Sequence, residues 1–259
     1  MSINRPLRVL VACEYSGVVR DAFAALGHHA WSCDLLPTDS LGLHYQGDVS
    51  DLLDGWVPVR HQGECDPDGD GLCRLTDADT SLCPCLGPTQ DEVEYREDKR
   101  GLFARPVAAP QWDLIIAHPP CTYLCSSGLH WNTRRPDRAA QTVLALDFVM
   151  KLMHAPCHHI AIENPIGCIS SRIRKPDQII QPYQFGHAES KATCLWLSGL
   201  PVLTPTKVMS KPDCGHWENQ TQSGQNKLGP SADRWKIRSA TYQGIADAMA
   251  AQWSAYLVK

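Results

Sequence analysis

Short apolar runs recur along the chain, each closed by a polar or turn-forming residue and several followed by a helix-patterned stretch; few folds accommodate that alternation. Arg8–Cys13 (RVLVAC) is apolar and rich in β-branched residues, as a strand buried on both faces requires. The turn Glu14-Tyr15-Ser16-Gly17 follows, then Val18–Leu26, where Val18, Val19, Ala22, Phe23 and Leu26 share one helical face before Gly27 stops it. Ala30–Asp34 is a second expected strand, and Gly47-Asp48-Val49 closes a third. Trp112–Ala117 is the strongest, running straight into His118-Pro119-Pro120-Cys121. Arg138–Leu152 carries a helical stripe through Ala140, Val143, Leu144, Leu146, Phe148, Val149 and Leu152. His159–Glu163 is another strand, closed by Asn164-Pro165. Strands alternating with helices predict an α/β fold: a doubly wound, mostly parallel sheet covered on both faces.

This rhythm assigns residues 1–57 and 110–207 to one domain, completed by 236–259 with a helix over Ala246–Tyr256. Residues 58–109 are acidic, turn-rich and cysteine-containing, and are expected to form an inserted subdomain. Residues 208–235, rich in Gly, Ser, Asn, Gln and Lys, form a second irregular stretch. The 259 residues suffice for one substantial core. No apolar run is long enough to cross a bilayer and no signal-like stretch precedes the first strand, so a cytoplasmic protein is expected. Most of the 12 cysteines are scattered singly through core-like segments, as in a reducing compartment. The formal charge of −4 supplies no global attraction to nucleic acid.

In open α/β sheets ligands bind beyond the carboxyl ends of the strands, and the informative residues stand at those ends. Glu14, Tyr15, Ser16 and Gly17 with Asp34 and Asp48 suit a nucleoside cofactor, since a glycine turn admits close approach and a carboxylate accepts from ribose hydroxyls. An ordinary strand–helix turn with a surface aspartate explains the same residues. Cys121 follows a Pro-Pro pair that stiffens the backbone and removes two amide donors. Such rigid presentation suits a nucleophile, whose pKa a following helix N-terminus would lower; a small buried thiol is the alternative. Glu163 weighs towards chemistry, because a glutamate ending an apolar strand is costly to bury unless paired or catalytic.

These motifs resemble those of the DNA cytosine carbon-5 methyltransferases, particularly the short phage- and prophage-type members. Ala12–Phe23 resembles the cofactor motif, Asp34 the acid after the second strand, and Gly47-Asp48-Val49 the third motif. His118-Pro119-Pro120-Cys121 is similar to the nucleophile motif and Glu163-Asn164-Pro165 to the glutamate motif. Gln184–Thr206, with Lys191 and Leu195-Trp196-Leu197, stands in the place of the basic motif, and Arg238–Trp253 in that of the C-terminal motif. The resemblance implies a Rossmann-like class I methyltransferase fold and a monomer that binds S-adenosylmethionine through Glu14–Gly17, Asp34, Asp48 and Pro119. It implies that the Cys121 thiolate adds to carbon 6 of a cytosine flipped out of DNA, Glu163 engages ring nitrogen 3, Asn164 positions the Glu163 loop, and Lys191 faces the carbonyl oxygen. A bacterial or prophage setting, such as restriction-modification, accompanies it.

Departures from the family pattern are Thr122 after the nucleophile, Pro165 after Asn164, and Lys191 where arginines are expected. With the short 208–235 stretch, they leave DNA, RNA and free cytosine nucleotides open as substrates. Arg134, Arg135, Arg138, Arg172, Arg174 and Lys175 are candidate phosphate contacts or plain surface charges. Amino-group methylation is a weaker alternative, since it needs neither thiol nor downstream glutamate. A catalytically silent protein retaining the fold is another. In the insertion, Cys65, Cys73, Cys83 and Cys85 are candidate zinc ligands, whereas Asp66, Asp68, Asp70 and Asp77 fit a calcium loop; free thiols and an acidic turn are the plain readings.

Overall fold

The computed structural model describes residues 5–58, 93–99, 101–106, 111–223 and 226–258. Strand β1 (Arg8–Ala12) is buried along its whole length, as its unbroken apolar run demands. Gly17, at φ 75°, then turns the chain into α1 (Val18–Ala25) without offering a side-chain cap. Glu14 supplies it: its carboxylate accepts from the amides of Val19 (2.7 Å) and Arg20 (3.2 Å), satisfying two of the helix's free donors. Strands β2 (His29–Asp34) and β3 (His44–Gln46) follow, both parallel to their neighbours.

The chain next leaves this sheet. Short β4 (Val57–Pro58) belongs to a separate antiparallel sheet with β5 (Val93–Asp98) and β6 (Gly101–Pro106). Phe103 and Ala104 of β6 pack into the same core cluster as Leu10, Trp31 and Trp112. The Arg96 and Arg105 guanidinium groups lie 4.8 and 4.6 Å from the Trp56 ring. Phe103 and Ala104, expected to belong to a separate insertion, are thus bound to the main core by apolar burial. Cys65, Cys73, Cys83, Cys85, Asp66, Asp68, Asp70 and Asp77 lie outside the described residues.

Strand β7 (Leu114–Ala117) pairs parallel with β1, and β8 (Ile160–Pro165) parallel with β7. Between them run a short α2 (Ser126–Leu129) and the long α3 (Pro136–Met153), whose proline sits where its missing amide is harmless. After α4 (Ile169–Arg172) come β9 (Gln178–Ile180) and β10 (Thr193–Ser198). Strand β10 inserts antiparallel between β8 and β9, giving the order β3-β2-β1-β7-β8-β10-β9. The fold is therefore α/β with a seven-stranded, mostly parallel sheet, compatible with a Rossmann-like architecture.

Both faces are covered. On one, α1 and α6 (Gln243–Leu257) bury Val19, Phe23, Ile245, Met249 and Trp253 against β1, β7 and β8. On the other, α3 contributes Val149 and Leu152. The stripe expected on α3 is narrower than its apolar residues suggest: Val143 and Leu144 are 57% and 60% exposed, and Thr142 is buried instead. Residues 234–239 form a short α5 (Arg234–Ser239). The preceding irregular stretch is anchored by Trp217, stacked on Tyr183 at 4.6 Å, and by Asn219, which bonds the backbone of Ser190 at both its amide and carbonyl.

Arg20 is the one fully buried cation of α1, with 1% exposure. Its guanidinium meets Asp21 (2.8 Å), Ser32 Oγ (2.9 Å), Ser40 and the Leu41 carbonyl (3.0 Å), pinning the β2–β3 connection against α1. Arg20→Ala leaves those groups without their donor and is expected to lower stability by about 2–4 kcal/mol. Urea denaturation followed by fluorescence checks this; a loss below about 0.5 kcal/mol, ordinary for a surface change, contradicts it.

Candidate active site

Five parallel strands release their chains at one edge of the sheet, so that Cys13-Glu14, Asp34, Gly47-Asp48, His118–Cys121 and Glu163-Asn164 gather there. The chain winds outward from β1 to β3 and then resumes on the opposite side with β7. The junction of β1 and β7 is therefore the topological switch point, where such sheets bind ligands. A cleft of about 320 Å³ opens at this edge, lined by Cys13, Asp34, Asp48, Pro119 and Tyr123, with Leu35, Val49, Leu144 and Phe148 among its apolar walls. Asp34 already bonds the Leu36 amide (2.9 Å) and Asp48 the Ser50 amide (2.8 Å), so both loops are shaped before anything enters. Exposed Leu144 is explained here, because it walls the cleft rather than the core.

Of the residues expected around a nucleoside, Asp34, Asp48 and Pro119 line this cleft. Glu14, Tyr15, Ser16 and Gly17 do not. The free amides of α1 draw the Glu14 carboxylate inward, and the Tyr15 hydroxyl donates to the Lys236 carbonyl at 2.6 Å. Ser16 Oγ stands 3.4 Å from Glu14, and Gly17 provides the left-handed turn. Cys13 takes the place by the cleft, holding a left-handed φ of 59° that is uncommon for a residue with a side chain. Burial, with Asp34 and Asp48 nearby, pushes its thiol up to about 12, so it stays protonated.

Cys121 opens a single turn, Cys121–Tyr123, directly after Pro119-Pro120. With two prolines removing donors, other groups hold this loop. Buried Asn164 donates from Nδ2 to the Pro119 carbonyl at 2.6 Å. The Ser126 amide bonds the Ile166 carbonyl, the Cys168 amide bonds the Leu124 carbonyl, and Cys125 pairs with Gly167. A Cβ at Gly167 would fall on the Leu124 carbonyl, so glycine is needed where the two loops meet. Arg138, a candidate phosphate contact in the sequence, clamps this loop through the carbonyls of Thr122 (2.7 Å) and Gly128 (3.1 Å). Arg135 pairs with Asp137 and Arg174 with Asp177.

Glu163 accepts from His118 Nδ1 at 3.0 Å, both side chains being largely buried. Burial pushes the Glu163 carboxyl up, but the His118 hydrogen bond and charge, with Lys191 and Thr193, outweigh it and hold the group below its ordinary value. Burial likewise opposes charge on His118, yet Glu163 and, at longer range, Glu14 raise it. Cys121 is raised by burial first, then by Cys125 and Glu163, while Lys191 pulls it down. The expected lowering by a helix N-terminus is overturned, because the turn after Cys121 is a single one and burial dominates. Lys191 Nζ donates to the carbonyl of Arg238 at 2.7 Å and lies over the Tyr242 ring, and its charge is felt by Cys121, His118 and Glu163.

Nothing in the 118–121 motif by itself assigns His118 a role. The signal that marks it is register: it leaves β7 beside the exits of β1 and β8, which carry Glu14 and Glu163. Among the described residues no group of three or more His, Cys, Asp or Glu side chains is arranged to hold a metal ion.

The pair has a pH signature. Stability contributed by Glu163 is present above its ordinary 4.5 and lost as pH falls through the lowered folded value. That contributed by His118 is present below its ordinary 6.5 and lost as pH rises through the raised folded value. Glu163→Gln is therefore expected to flatten both limbs of the urea midpoint plotted against pH. An alkaline limb of wild-type size in that variant contradicts the pairing.

No family model matches the chain, and no curated protein matches it.

Proposed function

We propose that this chain is an S-adenosylmethionine-dependent methyltransferase of the class I fold, acting on carbon 5 of cytosine in DNA through a covalent bond to Cys121. The observation that carries this reading is the joining of two loops. The chain leaving β7 presents a thiol, the chain leaving β8 presents a carboxyl, and Asn164 ties one to the other beside a cleft lined by Asp34, Asp48 and apolar side chains.

The cleft suits the cofactor on its donor set. Asp34 and Asp48 offer carboxylates for ribose hydroxyls and a neighbouring polar group, while Leu35, Val49, Pro119 and Phe148 offer apolar contact for a purine. When bound, S-adenosylmethionine supplies an electrophilic methyl group. Glu163 hydrogen-bonds ring nitrogen 3 of the cytosine and draws electron density from the ring. The Cys121 sulfur adds to carbon 6, and carbon 5 becomes nucleophilic. Lys191 favours the ionised sulfur and places positive charge near the carbonyl oxygen. Loss of the carbon-5 proton and departure of Cys121 restore the ring. A thiol held up by burial and by the Glu163 charge stays protonated at rest, so its reactivity depends on the bound base.

Incubation with S-adenosylmethionine and 5-fluorocytosine-containing DNA is expected to give an adduct that survives denaturation, because fluorine at carbon 5 cannot leave as the proton does. Cys121→Ser gives none, and Glu163→Gln slows its formation by about 100-fold. Asp34→Ala weakens S-adenosylmethionine binding by about 10–100-fold. No wild-type adduct, or one that survives Cys121→Ser, would falsify the reading. Methyl transfer to cytosine nucleotides but never to polymer would change the substrate.

A further inference from the structure

We propose that His118 is the proton store of this site: paired with Glu163 at its buried floor, it loads the carboxyl with the proton that ring nitrogen 3 takes up when Cys121 adds. The inference rests on the carbon-5 methylation reading above.

The need for a store follows from hydrogen-bonding capacity. Ring nitrogen 3 of cytosine accepts, and an ionised carboxylate also only accepts. Two acceptors facing each other repel, so Glu163 must carry a proton when it engages that nitrogen. Yet His118 donates from Nδ1 to Glu163 Oε2 at 3.0 Å, an arrangement that favours the ionised carboxyl and the charged imidazole at rest. The proton needed in the reaction therefore sits one hydrogen bond away from the group that uses it.

The surroundings give it one direction. His118 Nε2 is buried and has no hydrogen-bond partner among the described residues. Glu14, leaving β1, acts on the ring through space while its own oxygens are engaged by the Val19 and Arg20 amides. Lys191, just before β10, opposes charge on the ring. Thr193 on β10 also favours the ionised carboxyl, and Cys121 lies within reach of its field. Among the described residues, no acceptor but Glu163 is hydrogen-bonded to the imidazole.

The step balances. The Nδ1–H bond breaks and an Oε2–H bond forms, leaving the imidazole neutral. Rotation about the terminal glutamate torsion, which is broad and two-fold, presents that proton to the base. The Cys121 thiol loses its proton to solvent, its sulfur lone pair forms the bond to carbon 6, and the carbon 5–carbon 6 π pair becomes available at carbon 5. The electron density withdrawn through the ring is matched by the N3–H bond that forms as the Oε2–H bond breaks. After methyl transfer the carbon-5 proton leaves to solvent, the sulfur–carbon bond breaks, the released sulfur takes back a proton from solvent, and the N3 proton returns to the pair. No proton is consumed by the store, and no oxidant is required.

The rate of adduct formation with 5-fluorocytosine DNA, measured against pH, tests this with His118→Asn, whose side-chain amide can still donate to Glu163 but stores no transferable proton. Wild type should lose rate as pH rises through a value above the ordinary 6.5 of histidine. In the variant that falling limb should move to the acid side, with about a 100-fold loss at pH 8 and little change in KM for DNA. A variant profile superimposable on wild type overturns the inference while leaving the reading of function intact. Absence of any wild-type adduct overturns both. Ring-nitrogen NMR of the unliganded protein keeps the test open if the variant misfolds. The His118 ring is expected protonated at pH 7 in wild type and neutral in Glu163→Gln; a neutral ring in wild type overturns the proposal.

Discussion

The hydrogen bond from Asn164 to the Pro119 carbonyl is the contact on which the site depends. Two prolines strip the start of the loop after β7 of amide donors, so the single turn at Cys121–Tyr123 needs support from outside the loop. A side chain from the next strand supplies it, and the backbone links at Ser126, Cys125 and Cys168 extend the seam. Because β7 and β8 are adjacent and parallel, the seam joins two consecutive strand ends. Sulfur and carboxyl are thereby positioned by the sheet itself rather than by a free loop, and rigid support of this kind is what a reacting geometry requires.

Around that seam the protein keeps its charges in balance. Glu163 and His118 neutralise each other, and Glu14 meets the amides of α1. Buried ionisable groups are tolerated when so paired, and leaving one of them alone is far more costly than the pair. The consequence for Cys121 is a thiol disfavoured as an anion, with Lys191 as the opposing influence. A thiol so disfavoured as an anion is protected from indiscriminate reaction.

Much of this was legible from the chain. The apolar runs at β1, β2, β7 and β8 and the helices α1, α3 and α6 stand close to where periodicity put them, since each is long or strongly patterned. Strands β9 and β10 escaped because three residues, or a run such as TCLWLS inside a motif, carry too little period to register. The β5–β6 hairpin escaped because charged residues mask its alternation, while Phe103 and Ala104 alone reveal an inward face. At the site, Asp34, Asp48 and Pro119 follow from strand ends, but the inward turn of Glu14 does not. Its competition is local, between a ligand's hydroxyls and the bare amides of a helix, and no residue type announces which wins. His118 was hidden for the opposite reason, since its meaning lies in neighbours 104 and 45 positions away in the chain and not in its own motif.

Two contacts give the chain an order in time. Tyr15, near the first strand, reaches the carbonyl of Lys236, 221 residues later, and Lys191 is held by the carbonyl of Arg238. The α6 helix also roofs β1, the first strand made. During synthesis, then, the early strands emerge without their cover and Lys191 without its anchor until residues 236–257 are available. Contacts so remote in sequence form late and slowly. A growing chain would carry its thiol, carboxyl and imidazole for most of its synthesis before these late contacts can close.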